Sequence, residues 1–438
     1  MVQSYIEIKD VLAAALADHE LSKFITLEPA LQELAPTLPY DRTYEGPQSG
    51  NIFQRLQTVK HSRPGQYVIR FDLWRDGWAK ILSNYHKVDR HSPESITARL
   101  LEVPLNLINQ LDVLLQMSTH SSEYGKIIME KYATEMAVLS QRPIECYHHG
   151  MNDFITVWIV MRSGIMDDIG RRKQLGRGSP NSNYPDIYSV IAHDNIDKVR
   201  IQPRLSMIRN GTSEYEAVCG WIKACKENNR RDKATYRKIL KDLGFSLENI
   251  STLWKVPYLR RQLPLTHPPD LLHLWPKGAI QTVLEVLPLI LDKKFAVLMN
   301  QSLKNLSSSK AFLYAHSDYR AIGNIFVNMD TARPTLRSLR SVDILVIVEF
   351  FDVIFESFIN AEEYADLKAW FLLSRVFQFH LHKSSYVGNA DLLVLNQVRY
   401  DWVHFTKTFV GDTLSLNRPN IACRTYISTS HSTWYENH

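Results

Sequence analysis

The sequence predicts a mixed α/β protein whose second half is rich in helices, and three observations predict it. From Gln66 to Trp74 apolar and polar side chains alternate among β-favouring types, and the run stops at Asp76-Gly77, as a strand does. From Phe154 to Met161 the chain is almost continuously apolar and rich in β-branched and aromatic residues. That is the pattern of a strand buried on both faces. From Glu214 to Leu243, and again through most of the later chain, apolar residues recur at helical spacing.

The remaining elements follow in order. Ile8 to Leu16 predicts a short amphipathic helix, and Pro36 through Pro47 is punctuated by Pro and Gly like a linker. Pro104 to Met117 reads as a loop followed by an apolar segment. Tyr124 to Leu139 has helical spacing, with Ile127, Ile128, Tyr132, Met136 and Leu139 on one side. Arg171 to Asn183, rich in Gly, Ser, Asn and Arg, predicts an exposed loop. Lys233 to Leu243 is amphipathic, and Gly244 is a natural helix stop. Ile280 to Leu291, Val342 to Ile359 and Ala365 to Phe379 complete the helices, with Pro288 expected to kink or end the first. Ile421 to His438 lose periodicity and turn Ser/Thr-rich, an irregular tail that reads as frayed or truncated.

With 438 residues, 45% of them hydrophobic and 22% charged, the chain is globular and long enough for two or three packed units. Cys146, Cys219, Cys225 and Cys423 build no disulfide framework and include no Cys-x-x-Cys pair, which fits a reducing compartment. The first residues lack the basic and apolar regions of a secretory signal, so a start in the cytoplasm without secretion is expected. The most apolar stretch, Ile344 to Ile359, contains Glu349, Asp352 and Glu356. Each such charge costs roughly 2.5–3.5 kcal/mol at a bilayer centre, so the stretch reads as a core helix and no membrane is expected.

A net charge of +5 permits nucleic-acid binding without requiring it. Its distribution says more. Lys223, Lys226, Arg230, Arg231, Lys233, Arg237, Lys238 and Lys241 outnumber Glu227 and Asp232 over one short stretch. The plain reading is a solvated helix face, and the functional one is contact with phosphates. His148-His149, His380 with His382, and Cys219 with Cys225 lack a complementary pair at zinc spacing. There is no Gly-x-Ser-x-Gly elbow and no Gly-x-x-x-x-Gly-Lys-Ser/Thr loop, so the hydrolase and nucleotide signatures are missing.

A series of segments then stands in a telling order. Asp76-Gly77-Trp78 follows the first strand, Val103-Pro104 opens a stretch running to Leu139, and Gly164-Ile165-Met166-Asp167-Asp168 follows the second strand. The basic segment Lys233 to Gly244 precedes Pro269-Asp270-Leu271-Leu272-His273. Leu336 to Asp343, then Phe405-Thr406-Lys407 and Arg418-Pro419-Asn420, close the series. In this order the chain, from Val68 to Asn420, resembles the transposases of CACTA-like DNA elements, in particular the Plavaka group of fungal genomes. It departs from them at Tyr184 to Tyr188, where relatives carry a cysteine pair, and at Asp343, where they carry Glu.

The resemblance implies a ribonuclease-H-like core with a large helical insertion. Residues 1–60 would be an extension and linker and 61–200 the first part of the core. Residues 201–335 would be the insertion with its basic face, 336–420 the helical part carrying the third acid, and 421–438 an irregular tail. It also implies DNA as partner, a location in the nucleus, a homo-oligomer, and metal-dependent phosphodiester cleavage and strand transfer. The implied catalytic and metal-holding acids are Asp76, Asp168 and Asp343, with Glu349 as the alternative third acid, Asp270 and His273 as a supporting pair, and Mg²⁺ or Mn²⁺ as cofactor.

Chemically, two metals about 3.5–4 Å apart need carboxylates, and acids from distant sequence positions suffice. Each acid also has a structural reading. Asp76 suits a turn, and Asp167 or Asp168 a helix N-cap. Asp343 suits the cap of the helix beginning at Ile344, and Asp270, after Pro268-Pro269, another helix start. Asp270 and His273 share a face if helical. Asp343 and Glu349, about one and two-thirds turns apart, lie on different faces. Two further readings stand beside the enzyme: a transposon-derived protein that binds DNA or protein without cutting, and a helix-rich scaffold or nucleic-acid-coating protein.

Overall fold

A computed structural model describes residues 4–31, 59, 61–77, 93–104, 107, 114–166, 168–179, 182–184, 187–190, 192, 209–247, 250–260, 263–267, 275–307, 323–331, 333–381 and 389–411. The architecture is mixed α/β, as the sequence predicts, and divides into two compact units. The Asp270 and His273 block and the tail from Ile421 lie outside the described residues.

In the first unit, β1 (Ser4–Tyr5) and α1 (Ile8–Ala17) precede β2 (Glu28–Pro29), β3 (Tyr67–Gly77), β4 (Pro93–Leu100) and β5 (Leu114–Ser121). Then come α2 (Gly125–Leu139), β6 (Ile144–His148), β7 (Asp153–Ile165), α3 (Asp168–Leu175), α4 (Gly211–Lys226) and α5 (Arg230–Asp242). The sheet runs β1-β5-β4-β3-β7-β6, with β2 paired to β3 beside this path. β3, β4 and β5 form an antiparallel meander, whereas β7 returns parallel to β3. Such a return needs a long crossover, and β4, β5 and α2 lie along it. Asn152, at φ 52, turns β6 back onto β7, a left-handed conformation that Asn tolerates better than most residues.

β3 and β7 are central because their sequences suit burial on both faces: Val68, Ile69, Phe71 and Leu73 are buried, as are Val157 through Met161. α2 lays Ile128, Met129, Tyr132, Ala133, Met136 and Leu139 against the core. Ile127, expected on that face, is exposed instead. It sits one position off the 3.6-residue stripe.

The exposed loop expected at Arg171 to Asn183 is corrected. Its first part belongs to α3, and Arg171, Arg172, Gln174, Leu175 and Arg177 are buried. Composition misleads here because arginines enter a core once paired. Arg171 donates to Tyr188 Oη at 2.8 Å, Arg172 to the Gly178 carbonyl, and Arg177 to Glu214.

α4 and α5 form a hairpin. Asn210 caps α4 by accepting from the Thr212 and Ser213 amides, and Asn229 caps α5 by accepting from Arg231 and Asp232. The helices approach closely where the Tyr236 ring lies over Gly220.

The second unit starts with a π-helical turn at Trp275–Ile280, then α6 (Gln281–Ile290), α7 (Lys293–Ser307) and the β8 (Phe326–Val327)–β9 (Thr335–Leu336) pair. It continues with α8 (Ser341–Glu349), α9 (Phe351–Ile354), α10 (Glu356–Ile359), α11 (Ala365–Leu381) and α12 (Asn389–Val410). α6 ends two residues after Pro288, the stop that proline was expected to impose. Val342 to Ile359, expected as one helix, is broken at Phe350 (φ −112°, ψ 23°) and Phe355 (φ −110°, ψ 16°). No Gly or Pro announces the breaks; the segment is built of β-branched and aromatic residues, whose helix propensity is only middling. Aromatic rings fill this unit's core, with Trp275 edge-on to Phe377 at 4.5 Å and to Trp402 at 5.1 Å. Among the described residues no helix is long and apolar enough to cross a membrane.

A Cβ added at Gly220 would lie 2.2 Å from the Tyr236 ring. Gly→Ala gains about 1 kcal/mol in helix propensity, but overpacking costs about 1–3 kcal/mol, so Gly220→Ala is expected to lower stability in urea unfolding. A stabilised variant would show that Tyr236 moves aside freely.

Candidate active site and nucleic-acid face

The sheet centre is organised by a charge. Asp72, 0% exposed in mid-β3, accepts from Arg99 on β4 at 2.9 Å. It also accepts from Arg162 on β7 at 2.9 and 2.5 Å and from the Ser163 hydroxyl at 2.5 Å. The β3–β7 register slips here, because Phe71 pairs with Met161 and Asp72 with Ser163, leaving Arg162 as the extra residue of a bulge. The Met161 amide donates to Tyr258 Oη at 2.8 Å. Two residues upstream on β3, Arg70 pairs with Glu102 and Glu28, each at 2.8 Å. Burial pushes the Glu102 carboxyl up to about 7 although Arg70 opposes it.

Beyond Asp72 the two central strands end together. Trp74 pairs with Ile165, the last residue of β7, and two residues further Asp76 pairs across β4 with Ser95. Asp168, three residues after Ile165, is the first residue of α3. The structure therefore brings the backbones of Asp76 and Asp168 to one end of adjacent parallel strands. Asp76 is still in the strand, so the turn reading does not describe its position. Next to it Arg75 binds Glu94 at 2.7 Å; burial opposes the Glu94 charge, but His120 and Arg75 outweigh it and hold the carboxyl below its ordinary range.

α3 is anchored from below by residues that sequence reasoning missed. His267 is wholly buried, and a Cβ on Gly164, in the last turn of β7, would meet its Nε2 at 2.5 Å. Only glycine admits that ring. Its Nδ1 lies 2.9 Å from Thr266 Oγ1, and its carbonyl accepts from the Tyr188 hydroxyl, which in turn receives Arg171. Burial, reinforced by the Arg171 charge, pushes the imidazole down to about 3. No motif signals this histidine, because its partners are distant in sequence.

A second anchor joins α3 to the hairpin. Glu214 of α4, itself buried, accepts from Arg177 at 2.6 Å and from Arg209 at 3.1 Å. Arg209 also donates to the Leu243 carbonyl at the end of α5. Arg177 lies over the Phe245 ring at 4.2 Å, and the Gly178 amide donates to the Gly244 carbonyl.

Of the eight basic residues, Lys223, Lys226, Arg230, Arg231, Arg237, Lys238 and Lys241 are exposed. Lys233 is turned to the interhelical turn, donating to Asn228 Oδ1 at 2.7 Å. α5 buries only Leu240.

Asp343 and Glu349 belong to α8 in the second unit. The helix begins at Ser341 and not at Ile344, so Asp343 is its third residue and not its N-cap; from there it reaches back to take the Arg340 amide at 3.2 Å and the Arg340 guanidinium at 2.6 Å. Glu349, the last residue of α8, is exposed. Among the described residues no group of three or more His, Cys, Asp or Glu side chains converges to hold a metal ion. His148 instead caps the β6–β7 turn by accepting from the Met151 amide. No protein-family model matches the chain, and no curated protein sequence does either.

Two measurements test these anchors. Glu214→Gln leaves two buried arginines short of their counter-charge and is expected to destabilise the protein by about 3–5 kcal/mol in denaturant unfolding; a loss below 1 kcal/mol would contradict the anchor. For His267 the unfolded imidazole titrates near 6.5 and the folded one near 3. Between those values the unfolded chain holds a proton that the folded chain does not. The stabilisation is therefore complete above pH 6.5 and falls, by up to about 1.4 kcal/mol per pH unit, as pH drops through that window. His267→Gln is expected to flatten this slope between pH 6.5 and 4.5, and an unchanged slope would remove His267 from the account.

Proposed function

We propose that this chain is a transposase-like DNA-processing protein with a ribonuclease-H-like core, which cuts and rejoins phosphodiester bonds with divalent metal ions. The observation that carries the reading is the parallel β3–β7 pair, which puts Asp76 and Asp168 at one end of neighbouring strands although 92 residues separate them. The three-strand meander, the crossover through α2 and the return of β7 beside β3 support the core assignment.

Carboxylate oxygens are the donors that Mg²⁺ or Mn²⁺ prefers, so Asp76 and Asp168 are the residues that would hold such an ion. When bound, such ions would supply activation of a water or 3′-hydroxyl and stabilisation of the leaving oxygen. The residues of the chain do the positioning. Pairing with Ser95 fixes the backbone of Asp76, while α3, held by Arg171 and Arg177, fixes that of Asp168. Preorganisation of this kind limits the rearrangement left for the reaction itself.

The Arg340 contact of Asp343 favours a second reading, a transposon-derived protein that binds DNA without cutting. Purified protein with Mg²⁺ or Mn²⁺ and labelled duplex DNA separates the two. Metal-dependent nicking and strand transfer is expected, falling about a hundredfold or more in Asp76→Ala and in Asp168→Ala, the scale of losing several kcal/mol of transition-state stabilisation. Cleavage that survives both substitutions overturns the assignment, and DNA binding without any cleavage selects the second reading.

A further inference from the structure

The α4–α5 hairpin carries an array of charge that neither the fold nor the proposed cleavage site uses. At 3.6 residues per turn, Arg230, Arg231, Arg237, Lys238 and Lys241 fall within an arc of about 120° on α5. The only other residue inside that arc is Ala234. All five cations are exposed. Among the described residues none of the five has an acidic partner within ion-pair distance, unlike the buried arginines nearby. Asp232 and the partly exposed Ile239 lie on other sides of the helix, with Asp242 at the rim of the arc.

The array is also rigid. Tyr236 packs on Gly220, Leu240 is buried, and Arg209 holds the carbonyl of Leu243 while bridging to Glu214. Through Arg177 the same glutamate ties the hairpin to α3.

We propose that this face of α5 binds the sugar–phosphate backbone of duplex nucleic acid, without regard to base sequence. The inference rests on the DNA-processing reading for its context and deepens it by naming the form of the substrate. From Arg230 to Lys241 the stripe is about 16 Å long, and a duplex presents a phosphate charge about every 1.7 Å of its axis, so one side of it can meet all five cations. Single-strand binders add exposed aromatic platforms on which bases stack. The exposed arc has none, since Tyr236 is turned into the hairpin. An interface with an acidic protein would be built around aromatic or other large apolar anchors, and Ala234 is the only apolar residue in the arc.

The test uses the full chain in EDTA and reads fluorescence anisotropy with a labelled 20-bp duplex, one of its strands alone, and labelled polyglutamate, from 50 to 200 mM salt. The expected result is tightest binding to the duplex, with a steep salt dependence. In the variant R230Q/R231Q/R237Q/K238Q/K241Q the slope of log K against log salt should fall by about four to five, and affinity by at least about tenfold. All five side chains are exposed, and an unchanged urea midpoint confirms that the variant is folded. An unaltered slope in the folded variant overturns the proposal, as does tighter binding of the single strand, or of polyglutamate. Metal-dependent cutting is silent in EDTA. A chain that binds through the hairpin but never cuts fails only the cleavage reading, and one that cuts but binds without the hairpin fails only this one.

Discussion

A buried carboxylate in the middle of β3 sets the geometry on which the rest of the first unit depends. Asp72 can remain charged in the core only while Arg99, Arg162 and Ser163 surround it. Satisfying it draws one residue of β7 out as a bulge, because Arg162 must reach the same carboxylate that the Ser163 hydroxyl reaches. The bulge fixes the β3–β7 register, and the register fixes which residues meet at the strand ends. Without the extra residue, Asp76 would be matched one position earlier along β7, and every β7 side chain beyond the slip would change faces.

The same device, an acid held between arginines, recurs outward from the sheet. Arg70 with Glu102 and Glu28 fastens β2 to β3, and Glu214 with Arg177 and Arg209 fastens the hairpin to α3. Buried pairs of this kind contribute little net stability compared with apolar packing, but losing one partner costs about 3–5 kcal/mol. They therefore act mainly on specificity of arrangement. A surface such as the cation stripe of α5 is useful only if its position relative to the acids is fixed, and α4 is joined to α3 by the interaction least tolerant of displacement.

Much of this was legible in sequence where one physical signal dominated. β3 announced itself through alternation, β7 through an apolar β-branched run, α2 and α5 through their spacing, and the end of α6 through Pro288. β4 was not, since Pro93 to Leu100 carries as many polar as apolar residues and gains its character from its neighbours. α3 was misread because arginine and glutamine look like solvent-facing residues until their partners, 17 to 37 positions away, are known. Asp76 and Asp168 were singled out as candidate acids by the motifs beside them, whereas His267 was not legible. A buried neutral imidazole against Gly164 leaves no local pattern.

The arginine–carboxylate pairs also differ in a way that bears on the third acid. Asp72 and Glu214 are enclosed with their arginines, so neither can be lent to a metal without stranding buried charge. Asp343 is different: Arg340 is 55% exposed, and the pair is three residues apart on one helix start. Asp343 itself is 5% exposed, so only the guanidinium side of the pair meets water. Asp343 is thus held by its own helix start, whereas Asp72 is held between three strands. The carboxylate enclosed with its arginines sets the register, and Asp76 and Asp168 lie at the ends of the elements so aligned.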